Sequence, residues 1–207
     1  MGTNFLKFTV TGSVRKAQEH YFGRSQPLLG PPARDALTDD EIAFIQARDS
    51  FYMATVSETG WPYIQHRGGH AGFLRATNFR TLAFADYKGN RQMLSTGNLA
   101  ANDRVALFLM DYPQRTRLKI LGHVRVEYAR QYPELVQQLS EPDVQPIVER
   151  LFFIDVVAFD WNCPKYITPR YTAAEVEQVV APLRDRIAEL EAQISNTSAA
   201  RTSGKGN

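Results

Sequence analysis

The side chains that could do chemistry are concentrated in a segment that follows a strand-like run near the middle of the chain. Two cations, Lys88 and Arg91, flank a Gly-Asn turn at Asn90. Hydroxyl and amide groups follow one helical turn later, at Ser95 and Asn98. Cations, short side-chain donors and free N–H groups at a helix start together favour a phosphate dianion. A solvent-exposed turn whose basic residues aid solubility is the alternative, and this pattern alone leaves both open.

The second candidate segment lies on a predicted strand that contains two adjacent glycines. It reads Gln65, His66, Arg67, Gly68, Gly69 and His70. Adjacent glycines weaken a strand, so we expect them to accommodate a close neighbour. A flat ligand ring is one candidate, with Gln65 and Arg67 at its polar edge or its phosphate. A bulge at a barrel corner explains the glycines equally well.

The sequence lacks the usual metal-binding and nucleotide-binding motifs. His66 and His70 are four residues apart on a predicted strand, which separates them by about 13 Å, too far to share a zinc ion. There is no P-loop, no Gly-x-Gly-x-x-Gly after a strand and no Gly-x-Ser-x-Gly elbow. We therefore predict no metal site, and neither a dinucleotide-binding α/β fold nor a hydrolase with that elbow is supported.

Length and composition indicate a single soluble domain with additional terminal segments. The chain has 207 residues, of which 43% are hydrophobic and 22% charged, and no run reaches the roughly 20 apolar residues of a transmembrane helix. The N-terminus lacks the apolar core of a secretory signal, and the single cysteine, Cys163, excludes an internal disulfide. We therefore expect a cytoplasmic protein without membrane contact, in which Cys163 is a packed side chain rather than a reactive thiol.

Positive charge is concentrated in the middle of a nearly neutral chain. The net charge is +2, yet ten of the 24 lysines and arginines, and only three of the 22 acidic residues, lie between Trp61 and Arg125. This distribution favours an anionic ligand in the middle of the chain, although solvated strand ends would produce it too.

The apolar pattern predicts a mainly β fold that positions both candidate segments. Residues 1–37, which contain several glycines and prolines, are interpreted as an irregular arm. Within a domain at 38–170, short helices are predicted at 39–48, 91–101 and 133–139, and strands at 51–57, 62–70, 81–86, 105–110, 118–126 and 152–159. Gly122 marks a bulge or a close approach in the fifth strand. Six strands joined by Gly-bearing turns predict a closed or nearly closed antiparallel barrel with peripheral helices.

A C-terminal helix is predicted at 171–195, ahead of a small polar tail at 196–207 that we expect to be disordered. Thr172 to Glu175 and Thr38 to Glu41 both have the spacing of a capping box. Apolar residues of the C-terminal helix recur at steps of four and three: Val176, Val180, Leu183, Ile187, Leu190 and Ile194. Fewer than three heptads favour docking on the barrel over a coiled coil. Pro182 interrupts the pattern and predicts a kink or two shorter helices.

A series of short motifs occurs in a fixed order between residues 38 and 170. It comprises Phe51 to Val56, Gly60-Trp61-Pro62, Gln65 to Gly69, Gly72-Phe73-Leu74, Thr81 to Phe84, Asp86 to Arg91, Gly97-Asn98-Leu99, Asn102 to Val105, Arg117 to Gly122 and Asp160 to Pro164. The ordered series resembles the flavin-nucleotide-binding branch of the pyridoxamine 5'-phosphate oxidase superfamily. The resemblance implies an FMN-binding split β-barrel that forms a homodimer, with FMN in a cleft between the subunits.

The resemblance also implies roles for individual residues. The segment from Gln65 to His70 stands where the family's strand contacts the isoalloxazine ring and the phosphate. Asn90 and Arg91 stand where an Arg-Lys pair of the family holds the phosphate, and Lys88 lies beside them. Arg117 stands where a glutamine of the family approaches the flavin. Three further residues are assigned by neighbourhood alone: Ser95, Thr96 and Asn98.

Departures from the family pattern narrow the expected activity. The family's Arg-x-Val-Leu-Leu-Lys strand is replaced by residues 65–70, and the Arg-x-His pair that serves the substrate near the C-terminus is missing. We therefore expect an FMN-dependent oxidoreductase whose substrate is not pyridoxamine phosphate, with Tyr87, His66 and His70 as candidate proton donors. The alternatives are a flavin-binding or electron-transfer module without turnover and a barrel that holds a deazaflavin or haem. A further alternative is a basic barrel that binds nucleic acid, and we do not expect this function.

Overall fold

One antiparallel sheet of seven strands forms the fold in the computed structural model, which describes residues 3–161 and 164–203. The strands are β1 (Ser50–Val56), β2 (Pro62–Gly68), β3 (Arg75–Asn78), β4 (Thr81–Tyr87), β5 (Arg104–Asp111), β6 (Thr116–Tyr128) and β7 (Val148–Trp161). Their order in the sheet is β2-β1-β5-β6-β7-β4-β3. The edge strands β2 and β3 are not hydrogen-bonded to each other, so the barrel is split. The predicted fold class, a split β-barrel with peripheral helices, is confirmed.

Within the described residues, six α-helices accompany the sheet. They are α1 (Thr3–Thr9), α2 (Gly12–Phe22), α3 (Asp39–Gln46), α4 (Leu94–Ala101), α5 (Pro133–Leu139) and α6 (Ala173–Ser203). The chain divides into two units. The first, Met1–Ile167, contains the sheet and α1 to α5, and the second, Thr168–Asn207, contains α6. No described helix is long and apolar enough to cross a membrane.

The core is built from alternate residues of the strands. On β1, Phe51 and Met53 are buried whereas Tyr52 is exposed, because successive side chains of a strand point to opposite faces. The rings of Phe84 and Phe152 stack within the core with their centroids 4.8 Å apart. Burial of this apolar surface is the main force that stabilises the sheet.

The sequence placed six of the seven strands and all three short helices of this unit close to their observed positions. The missed strand, β3, has four residues without apolar alternation, and pairing with β4 specifies it more than its own sequence does. Helix α4 begins at Leu94 rather than at residue 91. The reason is that Arg91 and Met93 adopt left-handed backbone angles, which a right-handed helix cannot contain.

The prediction of an irregular N-terminal arm was wrong for residues 3–22, which form α1 and α2. The hydroxyl of Thr11 accepts a hydrogen bond from the Val14 N–H at the start of α2. Gly23, at φ 70°, ends the same helix. A glycine in this left-handed conformation is the usual helix stop, so the residue that suggested irregular chain is a boundary signal instead.

The predictions for the C-terminal end were also partly wrong. Helix α6 is continuous through Pro182 and reaches Ser203, beyond the predicted end at residue 195. Proline removes one N–H donor and displaces the carbonyl four residues earlier, which belongs here to the exposed Gln178 and can be solvated. Residues 204–207 and Cys163 lie outside the described residues.

Gly122 lies at an irregularity in β6, and this prediction is confirmed. The pairing register between β6 and β7 shifts between Leu121 and Gly122. A Cβ atom on Gly122 would lie 2.6 Å from Ile154 Cγ2 and 3.0 Å from the carbonyl oxygen of Asp155. The neighbouring strand therefore occupies the space that any other side chain would need.

We expect Gly122→Ala to destabilise the sheet unit by about 1–3 kcal/mol, because the added methyl group must displace backbone in a packed interior. Gly97→Ala is the matched control. Its Cβ meets nothing within 4 Å on α4, so it should be neutral or stabilise by up to about 1 kcal/mol. Urea unfolding of both variants checks this, and equal free energies of unfolding would contradict it.

Glu41 ties α3 to the end of β7. Its buried carboxylate accepts a hydrogen bond from the backbone N–H of Thr38 at 2.9 Å, as the predicted capping box requires, and another from the Thr38 hydroxyl at 2.6 Å. It also accepts the indole N–H of Trp161 at 2.5 Å. Burial alone would raise the pKa of the Glu41 carboxyl, but these hydrogen bonds to its charged form prevail and hold the pKa below its ordinary value of 4.5.

We expect Glu41→Gln to destabilise the sheet unit by about 1–3 kcal/mol, because an amide cannot accept all three hydrogen bonds. A lowered folded-state pKa stabilises the fold above the ordinary pKa, and this contribution is lost as the pH falls through the folded-state value. Urea unfolding at about pH 7 and about pH 3 should show the difference from wild type shrinking at the lower pH. A difference that does not change with pH would contradict this origin. Glu175→Gln, in the exposed second capping box, is the control and should leave this transition unchanged.

Candidate functional site

A small polar cleft opens where the first turn of α4, the loop before it and strands β2, β4 and β7 meet. It is lined by Tyr63, Gln65, Arg67, Asp86, Tyr87, residues 89–96, Glu149 and Arg150. Its volume is about 70 Å³. This volume suits a group the size of a phosphate, since pockets for whole ring-bearing ligands measure roughly 300–1,000 Å³.

Asp86 holds two arginines at one wall of the cleft. Its buried carboxylate accepts a hydrogen bond from Arg67 and two from Arg150, the latter at 2.6 and 2.8 Å. Arg150 also donates to Glu149 at 3.1 Å. Because β2 is an edge strand and β4 lies near the opposite end of the sheet, the contact between Arg67 and Asp86 bridges the split of the barrel.

Arg67 is oriented by the core, yet one of its donors is unused. Its guanidinium lies 5.3 Å from the ring centroid of Phe152 and 5.7 Å from that of Phe84, which is cation–π distance. Its Nε is buried and has no hydrogen-bond partner among the described residues. An unsatisfied buried donor is costly, so an anion is the kind of group that fits beside it.

The charges around the cleft do not cancel. Three arginines, Arg67, Arg91 and Arg150, face two carboxylates, Asp86 and Glu149. The resulting excess of one positive charge lies in a narrow, partly buried space where charge interactions are screened less than at the surface. The electrostatics therefore favour an anionic group in the cleft.

The loop before α4 is held in a strained shape. Arg91 and Met93 have φ values of 61° and 59°, a conformation that costs a non-glycine residue roughly 1–3 kcal/mol. The Asn90 side chain accepts the Gln92 N–H at 3.1 Å within this loop. No side chain caps the N-terminus of α4, whose first turn lines the cleft, so the helix presents its positive end there.

Two hydrogen bonds fix α4 against the strands. The hydroxyl of Ser95 donates to Gln65 Oε1 at 2.7 Å, and the amide of Asn98 donates to the Thr55 hydroxyl at 3.0 Å. Ser95 and Thr55 are almost completely buried. These contacts set the direction of the helix and therefore the position of its N-terminus.

Tyr87 is among the residues that line the cleft, and its ring packs against an apolar cluster that includes Leu139 and Leu151. Burial raises the pKa of its phenol, and the nearby carboxylates of Asp143 and Glu141 raise it further. The Tyr87 hydroxyl therefore stays protonated well above neutral pH and remains a hydrogen-bond donor.

An apolar hollow of about 310 Å³ adjoins the cleft, since Met93, Thr96 and Arg150 line both. The rest of its wall is mainly apolar and includes Leu99 and Val124. A polar cleft beside an apolar hollow suits a ligand with an anionic end and an apolar body.

The described part of the chain shows no group of three or more His, Cys, Asp or Glu side chains that could hold a metal ion. Of the described residues that line the cleft, none is a histidine.

The family model for pyridoxamine 5'-phosphate oxidase matches residues 37–150, more than half of the chain. The chain belongs to this family. The matched region begins just before α3 and ends within β7, so it contains every residue that lines the cleft. No curated protein matches the chain significantly.

Several solved structures are similar to this chain at low sequence identity. The HupZ protein of Group A Streptococcus is 12% identical, covers 65% of this chain and 99% of its own, and gives a TM-score of 0.48. An FMN-binding protein from Syntrophomonas wolfei is 10% identical, with 60% and 87% coverage and a TM-score of 0.43. HutZ, the haem storage protein of Vibrio cholerae, is 14% identical, with 61% and 94% coverage and a TM-score of 0.43.

Six of the residues assigned to the ligand from the sequence line the cleft of this pyridoxamine 5'-phosphate oxidase family member: Gln65, Arg67, Asn90, Arg91, Ser95 and Thr96. Alternation along β2 explains why Gln65 and Arg67 share one face of the strand. Both candidate segments, which are far apart in the sequence, therefore meet at one place.

The other predicted residues lie elsewhere. His66 is on the opposite face of β2, beside the ring of Tyr52. His70 pairs with Asp143 at 3.2 Å in an exposed position. Lys88 is exposed and is not among the cleft-lining residues.

Arg117 and Asn98 also lie outside the cleft lining. The Arg117 guanidinium is 5.7 Å from the ring centroid of Phe108, and its Nε is buried without a hydrogen-bond partner among the described residues. Asn98 acts on the cleft only indirectly, by anchoring α4 to Thr55.

The two adjacent glycines accommodate side chains of the protein itself. A Cβ on Gly69 would lie 2.8 Å from Phe73 Cγ, and one on Gly68 would lie 3.1 Å from His66 Cε1. The close neighbour that the sequence predicted is present, and in this structure it is protein. The strand ends at Gly68 rather than at residue 70.

Sequence analysis did not assign Asp86, Glu149 or Arg150 to the site. Asp86 was in the quoted motif, but its role depends on Arg150, which lies far along the chain and faces it across the β4–β7 pair. Opposite charges in facing positions of paired strands are a recognisable signal only once the pairing is known.

We expect Asp86→Asn to destabilise the sheet unit by about 3–5 kcal/mol, because it leaves two largely buried guanidinium groups without their shared counter-charge. Asp143→Asn, which removes an exposed pair with His70, is the control and should change stability by less than about 0.5 kcal/mol. Urea unfolding measures both, and a small effect at Asp86 would contradict the assigned role.

Proposed function

We propose that this protein binds FMN, with the phosphate in the cleft and the ring in the adjoining hollow. The observation that carries the proposal is the buried, unpaired Nε of Arg67 in a wall with excess positive charge. A phosphate monoester carries roughly two negative charges at neutral pH and offers three acceptor oxygens. It would satisfy the unused donor and neutralise the excess charge together.

Each part of the cleft would take a defined role toward the phosphate. Arg67, Arg91 and Arg150 would donate hydrogen bonds to its oxygens, since guanidinium groups match phosphate geometry. The first turn of α4 would add backbone N–H groups. Asp86 would keep two of the arginines aimed at one point, so that little ordering is left to occur on binding.

The hollow would hold the apolar part of the ligand. Its volume of about 310 Å³ and its lining of Met93, Leu99 and Val124 offer the apolar contact that a planar ring system needs. The cleft alone is too small for a flavin, so the proposal requires both spaces.

We further propose that the protein is a flavin-dependent oxidoreductase. Bound FMN supplies the hydride and electron chemistry. The protein would set the position of the ring through the phosphate clamp. The competing function, a flavin-binding module without turnover, uses the same clamp and differs only in whether a nicotinamide cofactor reduces the flavin.

We also propose that a second copy covers the outer face of β1, β2, β5 and β6. This face carries a groove of about 560 Å³ with a mainly apolar lining that includes Tyr52, Ile64 and Phe108. Tyr52 is 40% exposed and Ile64 65%, and contiguous apolar surface of this kind marks interaction sites. Among homo-oligomers, two-fold dimers are by far the commonest.

The visible absorption spectrum of the purified protein, with mass spectrometry of the released cofactor, tests the proposal. We expect a flavin spectrum and FMN. A released haem or deazaflavin, or a colourless protein that takes up no added FMN, would overturn it. Reduction of the bound flavin by NADH or NADPH would support the oxidoreductase, and a flavin that neither reduces would favour the module.

We expect Arg91→Ala to weaken FMN binding by about tenfold to a hundredfold, because a charged hydrogen bond contributes about 1.5–3 kcal/mol. Lys88→Ala is the matched control: it removes an equal charge from the same turn, yet Lys88 does not line the cleft. Titration of flavin fluorescence measures both dissociation constants. Equal losses in the two variants would show that general charge, rather than the cleft, binds FMN.

A further inference from the structure

Helix α6 carries an apolar stripe whose residues take no part in the proposed flavin site. The side chains of Val176, Leu183, Ile187, Leu190 and Ile194 are between 41% and 65% exposed. Exposed apolar residues at regular helical spacing mark an interaction surface.

The spacing of the stripe assigns each residue to a heptad position. Steps of four and three place Val180, Ile187 and Ile194 at a, and Val176, Leu183 and Leu190 at d. All three a positions are β-branched, and leucine fills d after the first layer. This distribution is the one that favours two parallel strands over trimers and tetramers.

We propose that α6 pairs with the α6 of a second copy of this chain as a parallel, in-register, two-stranded coiled coil. The seam runs from Val176 to Ile194, roughly 28 Å along the helix. Pro182 falls at position c, which faces away from the seam, so the helix tolerates it without disturbing a core layer.

The flanking charges select the parallel orientation. Arg186 is at g and Glu191 at e, and a parallel pair brings each Arg186 beside the Glu191 of the other copy. An antiparallel pair with the same layers brings like charges together instead, Arg186 beside Arg186 and Arg184 beside Arg184. Charge complementarity therefore agrees with the a and d residues.

The seam is short, at fewer than three heptads, and here the inference rests on the proposed homodimer. If the outer faces of two sheets also pair, the two α6 helices become tethered to one assembly. Pairing between them is then effectively intramolecular, and a short seam suffices. Two-fold symmetry about the seam brings each residue opposite itself, as a parallel coiled coil requires.

Disulfide cross-linking of the full chain tests the proposal. Leu190→Cys, in a Cys163→Ser background that removes the one natural cysteine, should be converted mostly to a covalent dimer on mild oxidation, because residue 190 faces itself in a d layer. Ala192→Cys, at the outward f position of the same turn, is the control and should stay mostly monomeric. Cross-linking of Leu190→Cys only with Val180→Cys would indicate an antiparallel pair and overturn the proposal.

A charge reversal provides the second readout. Arg186→Glu should slow cross-linking at residue 190 by about tenfold, since attraction becomes repulsion on both sides of the seam. Adding Glu191→Arg should restore it. Sedimentation of the same samples separates the two proposals. A dimer that does not cross-link at 190 overturns the coiled coil alone, whereas a monomer in every variant overturns both.

Discussion

The carboxylate of Asp86, shared by Arg67 and Arg150, is the interaction on which the rest of the site depends. It joins the edge strand β2 to β4 and β7 across the split of the barrel. A buried group of charges rarely stabilises a fold more than apolar residues of the same size. In this structure the group has a second task, which is to hold two guanidinium groups at one wall of the cleft, with Arg67 against the aromatic core. These paired side chains form one wall of the cleft.

The remaining features of the site are arranged around the wall that Asp86, Arg67 and Arg150 form. Ser95 and Asn98 hold α4 against β2 and β1, so the uncapped start of the helix lies opposite the arginines. The left-handed residues Arg91 and Met93 end the preceding loop at that point. Strain of this kind persists where surrounding contacts determine the backbone, and it is found most often at functional sites. An anion at the cleft would stabilise all three parts together.

Most of the fold could be read from the sequence because strands and short helices here carry strong local patterns. Residues 133–139 were predicted with the observed bounds of α5, and Gly122 was recognised as a close approach. β3 was missed because its pairing with β4 specifies it, and the N-terminal helices were missed because Gly23 was taken for irregular chain. Only part of the site could be predicted from the sequence. Arg67 and Arg91 lie in local motifs, whereas Arg150 is brought to Asp86 only by the pairing of β4 with β7, which no local pattern shows.

A comparison of FMN with riboflavin would show whether the cleft recognises the phosphate of the ligand. The two molecules share the ring and differ by the phosphate group. If the arginines and the start of α4 bind that group, calorimetry should show riboflavin binding at least about a hundredfold more weakly than FMN, and inorganic phosphate should compete with FMN. Equal affinities for riboflavin and FMN, with no competition by phosphate, would show that the cleft does not bind the phosphate group.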